Sequence, residues 1–124
     1  MLRKLSFINE SRRANAKFLD KKLQDLDEVT LVNGDVVNVT HSYHIYPQLF
    51  ERRDELKEYL NSIGVDAKIH YPIPMHLQKA AKIWGYKRGD FPVAELAADK
   101  TLSLPVHEFI TKPSLDRIVE GVKQ

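Results

Sequence analysis

Five histidines, at positions 41, 44, 70, 76 and 107, are the side chains best suited to chemistry near neutral pH. They concentrate in His70-Tyr71-Pro72-Ile73-Pro74-Met75-His76-Leu77-Gln78, where two imidazoles, a phenol and an amide fall within nine residues. Two prolines two apart exclude helix and central strand, so this segment reads as a stiff extended loop following a strand. Such a loop offers several donors and acceptors at low ordering cost, which suits a polar ligand such as a sugar or a nucleotide. The residues alone fit equally well a loop whose Tyr71 and Pro72 pack beneath neighbouring helices.

Other chemistries find little support. His41 and His44 point to opposite faces of a strand and cannot chelate together. His70 and His76 have no carboxylate close in sequence to complete a metal site, so all five read as structural or hydrogen-bonding groups. The absence of cysteine excludes disulfides, zinc-thiolate sites and thiol catalysis. The five glycines form no phosphate-cradling loop, and no Gly-x-Ser-x-Gly or Ser-x-x-Lys motif occurs. Charge is balanced, with ten basic and ten acidic residues in 1–62 and nine and seven in 63–124. A basic helix with Arg3, Lys4, Arg12, Arg13, Lys17, Lys21 and Lys22 is diluted by Glu10, Asp20 and Asp25, which argues against nucleic acid. No apolar run is long enough to span a membrane, and no signal peptide is legible.

These residues need a frame. A chain of 124 residues, 43% of them apolar, is long enough for one domain over 1–124 with its own core. Ile8, Arg12, Ala16, Leu19, Leu23 and Leu26 step by four and three, which predicts a long first helix over 1–26. It begins at Met1 without a cap, as though an upstream segment had been removed. Asn33-Gly34 between β-branched runs predicts a hairpin over 29–39. His41–Phe50 reads as a strand that Pro47 confines to an edge or a bulge. Arg53–Ile63 reads as a helix closed by Gly64, followed by a half-buried strand with Val65, Ala67 and Ile69 inward. A short helix over Leu77–Trp84 comes next. Asp90 then caps a helix with Pro92 in its first turn, ending near Lys100. After an extended piece at 102–105, Thr111 caps a last helix that buries Leu115, Ile118, Val119 and Val122. This order predicts an α+β fold, a small and mostly antiparallel sheet covered by helices.

The 70–78 run, then Trp84-Gly85-Tyr86, Gly89-Asp90-Phe91-Pro92-Val93-Ala94-Glu95 and Leu102-Ser103-Leu104-Pro105, resembles the C-terminal part of the DegT/DnrJ/EryC1/StrS aminotransferases. Upstream, Asn9-Glu10-x-Arg12-Arg13 is similar to that family's domain-linking helix, and His41-x-Tyr43-His44-x-Tyr46 to its next strand. Arg53-Asp54-Glu55-Leu56 with Gly64 is similar to the helix that follows. The resemblance covers essentially the whole chain. It departs at Pro47, Gln48 and Glu51-Arg52, where the family has a continuous apolar strand, and at Asn33-Gly34, where a Pro-rich loop is more usual.

The resemblance implies the small C-terminal domain of a fold-type-I, pyridoxal phosphate (PLP) dependent enzyme. Such enzymes aminate keto-sugar nucleotides in polysaccharide or deoxyamino-sugar biosynthesis. Carried over by residue, His70 and Tyr71 hydrogen-bond the substrate, and His76 and Gln78 belong to the same wall. No catalytic, cofactor-binding or metal-binding residue is expected here, because the large domain that carries the PLP lysine has no counterpart in this chain. The further implications are inactivity and no bound PLP for the chain alone, with the missing large domain and a sugar nucleotide as partners. A homodimer for the intact enzyme and a cytoplasmic location are also implied. The alternative is a stand-alone, non-catalytic module that uses the same loop to bind a sugar nucleotide or a protein.

Overall fold

A computed structural model describes residues 2–32 and 38–124. It is an α+β fold in which a three-stranded antiparallel sheet, in the order β1-β2-β3, is covered by helices. The elements are α1 (Leu5–Leu23), β1 (Val29–Thr30), β2 (Tyr46–Phe50), α2 (Arg53–Ser62), α3 (Pro92–Lys100), β3 (Thr101–Leu104) and α4 (Lys112–Val122).

Helix α1 is shorter than the 1–26 predicted from its stripe, opening with a 3-10 turn over Leu2–Lys4. The stripe itself is present, with Ala16, Leu19 and Leu23 fully buried and Arg12 half-buried. Past Leu23 the chain tightens, with Leu26 N–H on the Leu23 carbonyl and Val29 N–H on that of Leu26. Val29 and Thr30 then pair with Phe50 and Leu49 of β2. The Asn33-Gly34 turn of the predicted hairpin lies outside the described residues. Val39 is exposed and belongs to no strand.

The predicted strand over 41–50 begins only at Tyr46, because Tyr43 adopts a left-handed φ of 47° that no extended strand contains. His41 and His44 are therefore loop residues. Strand β2 is also central rather than at an edge, despite Pro47. Ser103 of β3 stands opposite Pro47 yet commits its N–H and C=O to Lys68, at 2.8 and 3.0 Å. Pro47 thus occupies a non-hydrogen-bonded pair, where β3 asks no donor of it. On the other flank the β1 ladder stops at Leu49, and Val32 N–H turns to the Gln48 side-chain oxygen at 2.7 Å. The residues 65–69, read as a strand, form only that single bridge at Lys68, although Val65 and Ala67 are buried as the alternation predicted.

The core unites one sheet face (Tyr46, Phe50, Leu102, Leu104) with Leu19 and Leu23 of α1, Leu60 of α2, and Leu115 and Ile118 of α4. Gly64, at φ 82°, closes α2 as expected, with Val65 N–H on the Leu60 carbonyl and Gly64 N–H on that of Asn61. Thr111 caps α4 through the Ser114 N–H. The predicted helix over 77–84 is instead two 3-10 turns, Met75–Leu77 and Lys79–Trp84, broken by an extended Gln78. Asp90 does not cap α3. Its carboxylate takes the Lys87 N–H at 2.9 Å, and Phe91 is the residue at the cap.

Candidate functional site

Segment 70–78 leaves the Lys68 bridge and runs outside the sheet. His70 is half-buried, and its Nδ1 lies 3.0 Å from Ser103 Oγ. That contact orients the ring and leaves Nε2 out of the bond. Tyr71 stands 81% exposed at φ 56°, a conformation that is uncommon for a bulky residue and persists only where its surroundings impose it. Tyr71 and Pro72 are thus exposed in this chain and do not pack beneath its helices. His76 goes the other way. It is 8% exposed, with Nε2 3.0 Å from Glu95 Oε1 and its ring 4.8 Å from that of Phe91. Gln78 is exposed, its amide turned back to the Ile73 carbonyl at 3.5 Å.

Glu95 was not singled out by sequence reasoning, beyond its place at the end of the 89–95 motif. Its carboxylate, in a residue 7% exposed, accepts from Gly89 N–H at 2.8 Å and Phe91 N–H at 3.4 Å, as well as meeting His76. Burial pushes its pKa up, but the Gly89 N–H, His76 and the Phe91 N–H together reverse this and leave it below the usual carboxylate value.

Beside His70 opens a cleft of about 190 Å³, lined among others by Arg12, His44, Lys68, Ser103 and His107. Three imidazoles and two cations face one hollow there, a lining rich in donors for hydroxyl or phosphate oxygens. The cations are partly engaged. Arg12 pairs with Glu108 at 3.2 Å and Lys68 with Asp66 at 2.8 Å. The Glu108 carboxyl is held below its usual pKa, first by its own backbone N–H and then by Arg12, against opposing burial. Asn15 of α1 donates to the His107 carbonyl at 3.0 Å, tying α1 to the loop after β3. At the cleft wall, burial first and Asp20 second push the Tyr46 phenol far above its ordinary pKa, which keeps it a hydrogen-bond donor to Asp20 at 2.6 Å.

A larger hollow of about 370 Å³ lies elsewhere, between Val29, Phe50, Leu56, Tyr59 and Val122. It contains none of the candidate substrate-binding residues His70, Tyr71, His76 and Gln78. Its lining includes Glu28, Glu51 and Glu55, of which Glu51 pairs with Lys100 and Glu55 with Arg52. Among the described residues no group of three or more His, Asp or Glu is placed to hold a metal ion, and no helix is long and apolar enough to cross a membrane.

A small sheet with covering helices, a loop that projects an exposed aromatic residue, and an imidazole-lined cleft define an α+β unit. The chain belongs to the DegT/DnrJ/EryC1/StrS aminotransferase family, whose sequence profile matches residues 1–123. Over 98% of its length it is 33% identical to the erythromycin biosynthesis sensory transduction protein EryC1 of Saccharopolyspora erythraea, and it covers 33% of that protein. It is 35% identical over 82 residues to the dTDP-3-amino-3,4,6-trideoxy-alpha-D-glucose transaminase of Streptomyces venezuelae, matching 66% of this chain and 22% of that protein. The crystal structure of S. venezuelae DesV in complex with a ketimine intermediate superposes on 98% of the chain and on 33% of its own, with TM-score 0.92 and 31% identity. The chain thus spans about a third of the length of the relatives it matches along its whole length.

Proteins of this family depend in general on PLP, and the residues of this chain do not by themselves fit that cofactor. An aldehyde-reactive lysine needs a desolvated pocket. Every lysine here is exposed or half-buried, and Lys68, Lys100 and Lys112 are spent on Asp66, Glu51 and Asp116.

Proposed function

We propose that this chain is the C-terminal small domain of a PLP-dependent nucleotide-sugar aminotransferase, acting with a large N-terminal domain that supplies the catalytic lysine and the cofactor site. The observation that carries this reading is the match of the entire chain, in sequence and fold, to one third of sugar aminotransferases. In this reading His70 and Tyr71 face the sugar nucleotide, His70 through the ring edge not used by Ser103. Gln78 borders the same wall, and His76 contributes to it from inside. The intact enzyme is a cytoplasmic homodimer in which this domain closes over the cleft of the large one.

Two measurements test the reading. Incubation of the 124-residue chain with PLP should give no stoichiometric, borohydride-reducible aldimine band. Such a band, mapped to one of its lysines, would show that the catalytic half is not missing. Titration with UDP- or dTDP-sugars separates the two roles of the loop. No binding at millimolar ligand is expected for a site that needs the large domain to close it. Tight, saturable binding lost in His70→Ala and Tyr71→Ala would instead establish the stand-alone binding module.

A further inference from the structure

The Tyr71–Met75 arm is bracketed by two histidines, and each imidazole is tied to the same stretch of chain. His70 is held by Ser103 and His76 by Glu95, both at 3.0 Å. Glu95 lies on α3 and Ser103 on β3, and these two elements are continuous, Pro92–Lys100 passing into Thr101–Leu104 without a loop. The far side of the segment is closed on the same carboxylate, because Glu95 also gathers the N–H groups of Gly89 and Phe91. Between the two histidines stand Pro72 and Pro74, which restrict the backbone further. Tyr71 and Met75, 81% and 78% exposed, project from this doubly fixed span.

We infer that Glu95 and Ser103 are positioning residues: by gripping His76 and His70 they hold the Tyr71–Met75 arm rigid, so that Tyr71 meets the ligand already in its binding geometry. The ligand part of this inference rests on the substrate-facing reading of the arm; the clasp does not. Two features argue for it. The left-handed Tyr71 needs surroundings that over-determine its backbone, and an anchor at each end of the arm provides them. A buried carboxylate that joins His76 of the Met75–Leu77 turn to the Gly89 and Phe91 N–H groups ahead of α3 is also more than packing requires, and preorganisation removes the ordering cost a mobile arm would incur on binding.

The test uses the 124-residue chain without ligand, comparing wild type with Glu95→Ala, Glu95→Gln and Ser103→Ala. Glu95→Gln retains the size and one acceptor oxygen, and it carries the test if Glu95→Ala does not fold. Amide exchange at Leu77 and Gln78, whose N–H groups bond the Pro74 and Met75 carbonyls of the arm, should accelerate about tenfold in Glu95→Ala and less in Glu95→Gln, with Leu102 and Ile118 unchanged. Acrylamide quenching of Trp84, the chain's single tryptophan, should rise in parallel, and the His70 ring nitrogen signals should shift although His70 is untouched. Unchanged loop exchange, or loop and core amides accelerating together as a purely structural role would make them, overturns the inference. UDP-N-acetylglucosamine is then titrated into each form in the presence of a separately expressed large domain from a family relative. If the wild type binds, Glu95→Gln should weaken binding severalfold while leaving the bound-state contacts of Tyr71 unchanged. If no form binds and the exchange pattern holds, the clasp stands and the proposed function fails.

Discussion

At the scale of single residues, Tyr71 and Glu95 make opposite demands on the fold. Tyr71 holds a backbone conformation that costs about 1–2 kcal/mol for an ordinary L-residue. Tyr71→Asn, which tolerates that conformation, is expected to keep or slightly raise the melting temperature while removing any ligand contact made by the ring. A loss of stability on that substitution would show that the tyrosine is held by packing. Glu95 responds to pH. Its pKa is lower in the folded chain, so the stability it confers is complete above its unfolded value, about 4.3, and is lost as pH falls through the lower folded one. His76 and the more distant Arg88, at 3.9 Å, are the basic side chains facing it. Acidification should therefore release the loop, read as rising Trp84 quenching below about pH 4, and Glu95→Gln should flatten that acid limb. The stiff loop carrying His70 and Tyr71 was legible in the sequence from its prolines, but its exposure was not, because the residues alone fitted a packed loop equally well. The inward turn of His76 was not legible either, because its carboxylate partner lies nineteen residues away on another element.

At the scale of elements, two local signals were read correctly, while the Asp90 cap and the 77–84 helix were not. The Gly64 terminus and the Thr111 cap each depend on groups within a few residues. Gly64→Ala, at a left-handed position with open space around it, should cost about 1 kcal/mol through backbone strain alone. Central placement of β2 was illegible because Pro47 is tolerated through a distant arrangement, the diversion of Ser103 to Lys68. The same holds for 65–69, whose alternation is that of a strand but which meets β3 at one residue only. Where α2 and α4 cross, a Cβ on Gly121 would come within 2.7 Å of Leu60 Cδ2 and 2.9 Å of Ile63 Cδ1. Leu60→Ala should cost about 2–5 kcal/mol, as for other fully buried leucines. Adding Gly121→Ala should recover part of that loss, since its methyl enters the space Leu60 vacates. Chemical denaturation of the two single variants and the double variant measures this coupling directly.

At the scale of the whole molecule, Ile73, Met75, Ile83, Trp84 and Val93 are each more than half exposed within the 70–96 region. In the proposed intact enzyme this region lies beside the large domain. Supplying that domain should shift Trp84 emission to the blue and reduce its quenching; an unchanged spectrum would place the contact elsewhere. The fold class was legible from the order of elements, because a short sheet with several amphipathic helices admits few arrangements. The cleft beside His70 was not, since it is assembled from α1, the loop before β2, the 66–70 segment and the loop after β3, four stretches with no sequence proximity.

The direct passage of α3 into β3 has a consequence for how this chain can vary. With no loop at Lys100–Thr101 to absorb a change in length, the interval from Glu95 to Ser103 works as a ruler. One inserted residue would rotate Glu95 by about 100° about the helix axis relative to Ser103, throwing the two grips out of phase. Insertions and deletions should therefore accumulate among relatives in the 31–45 connection and be absent between 95 and 103.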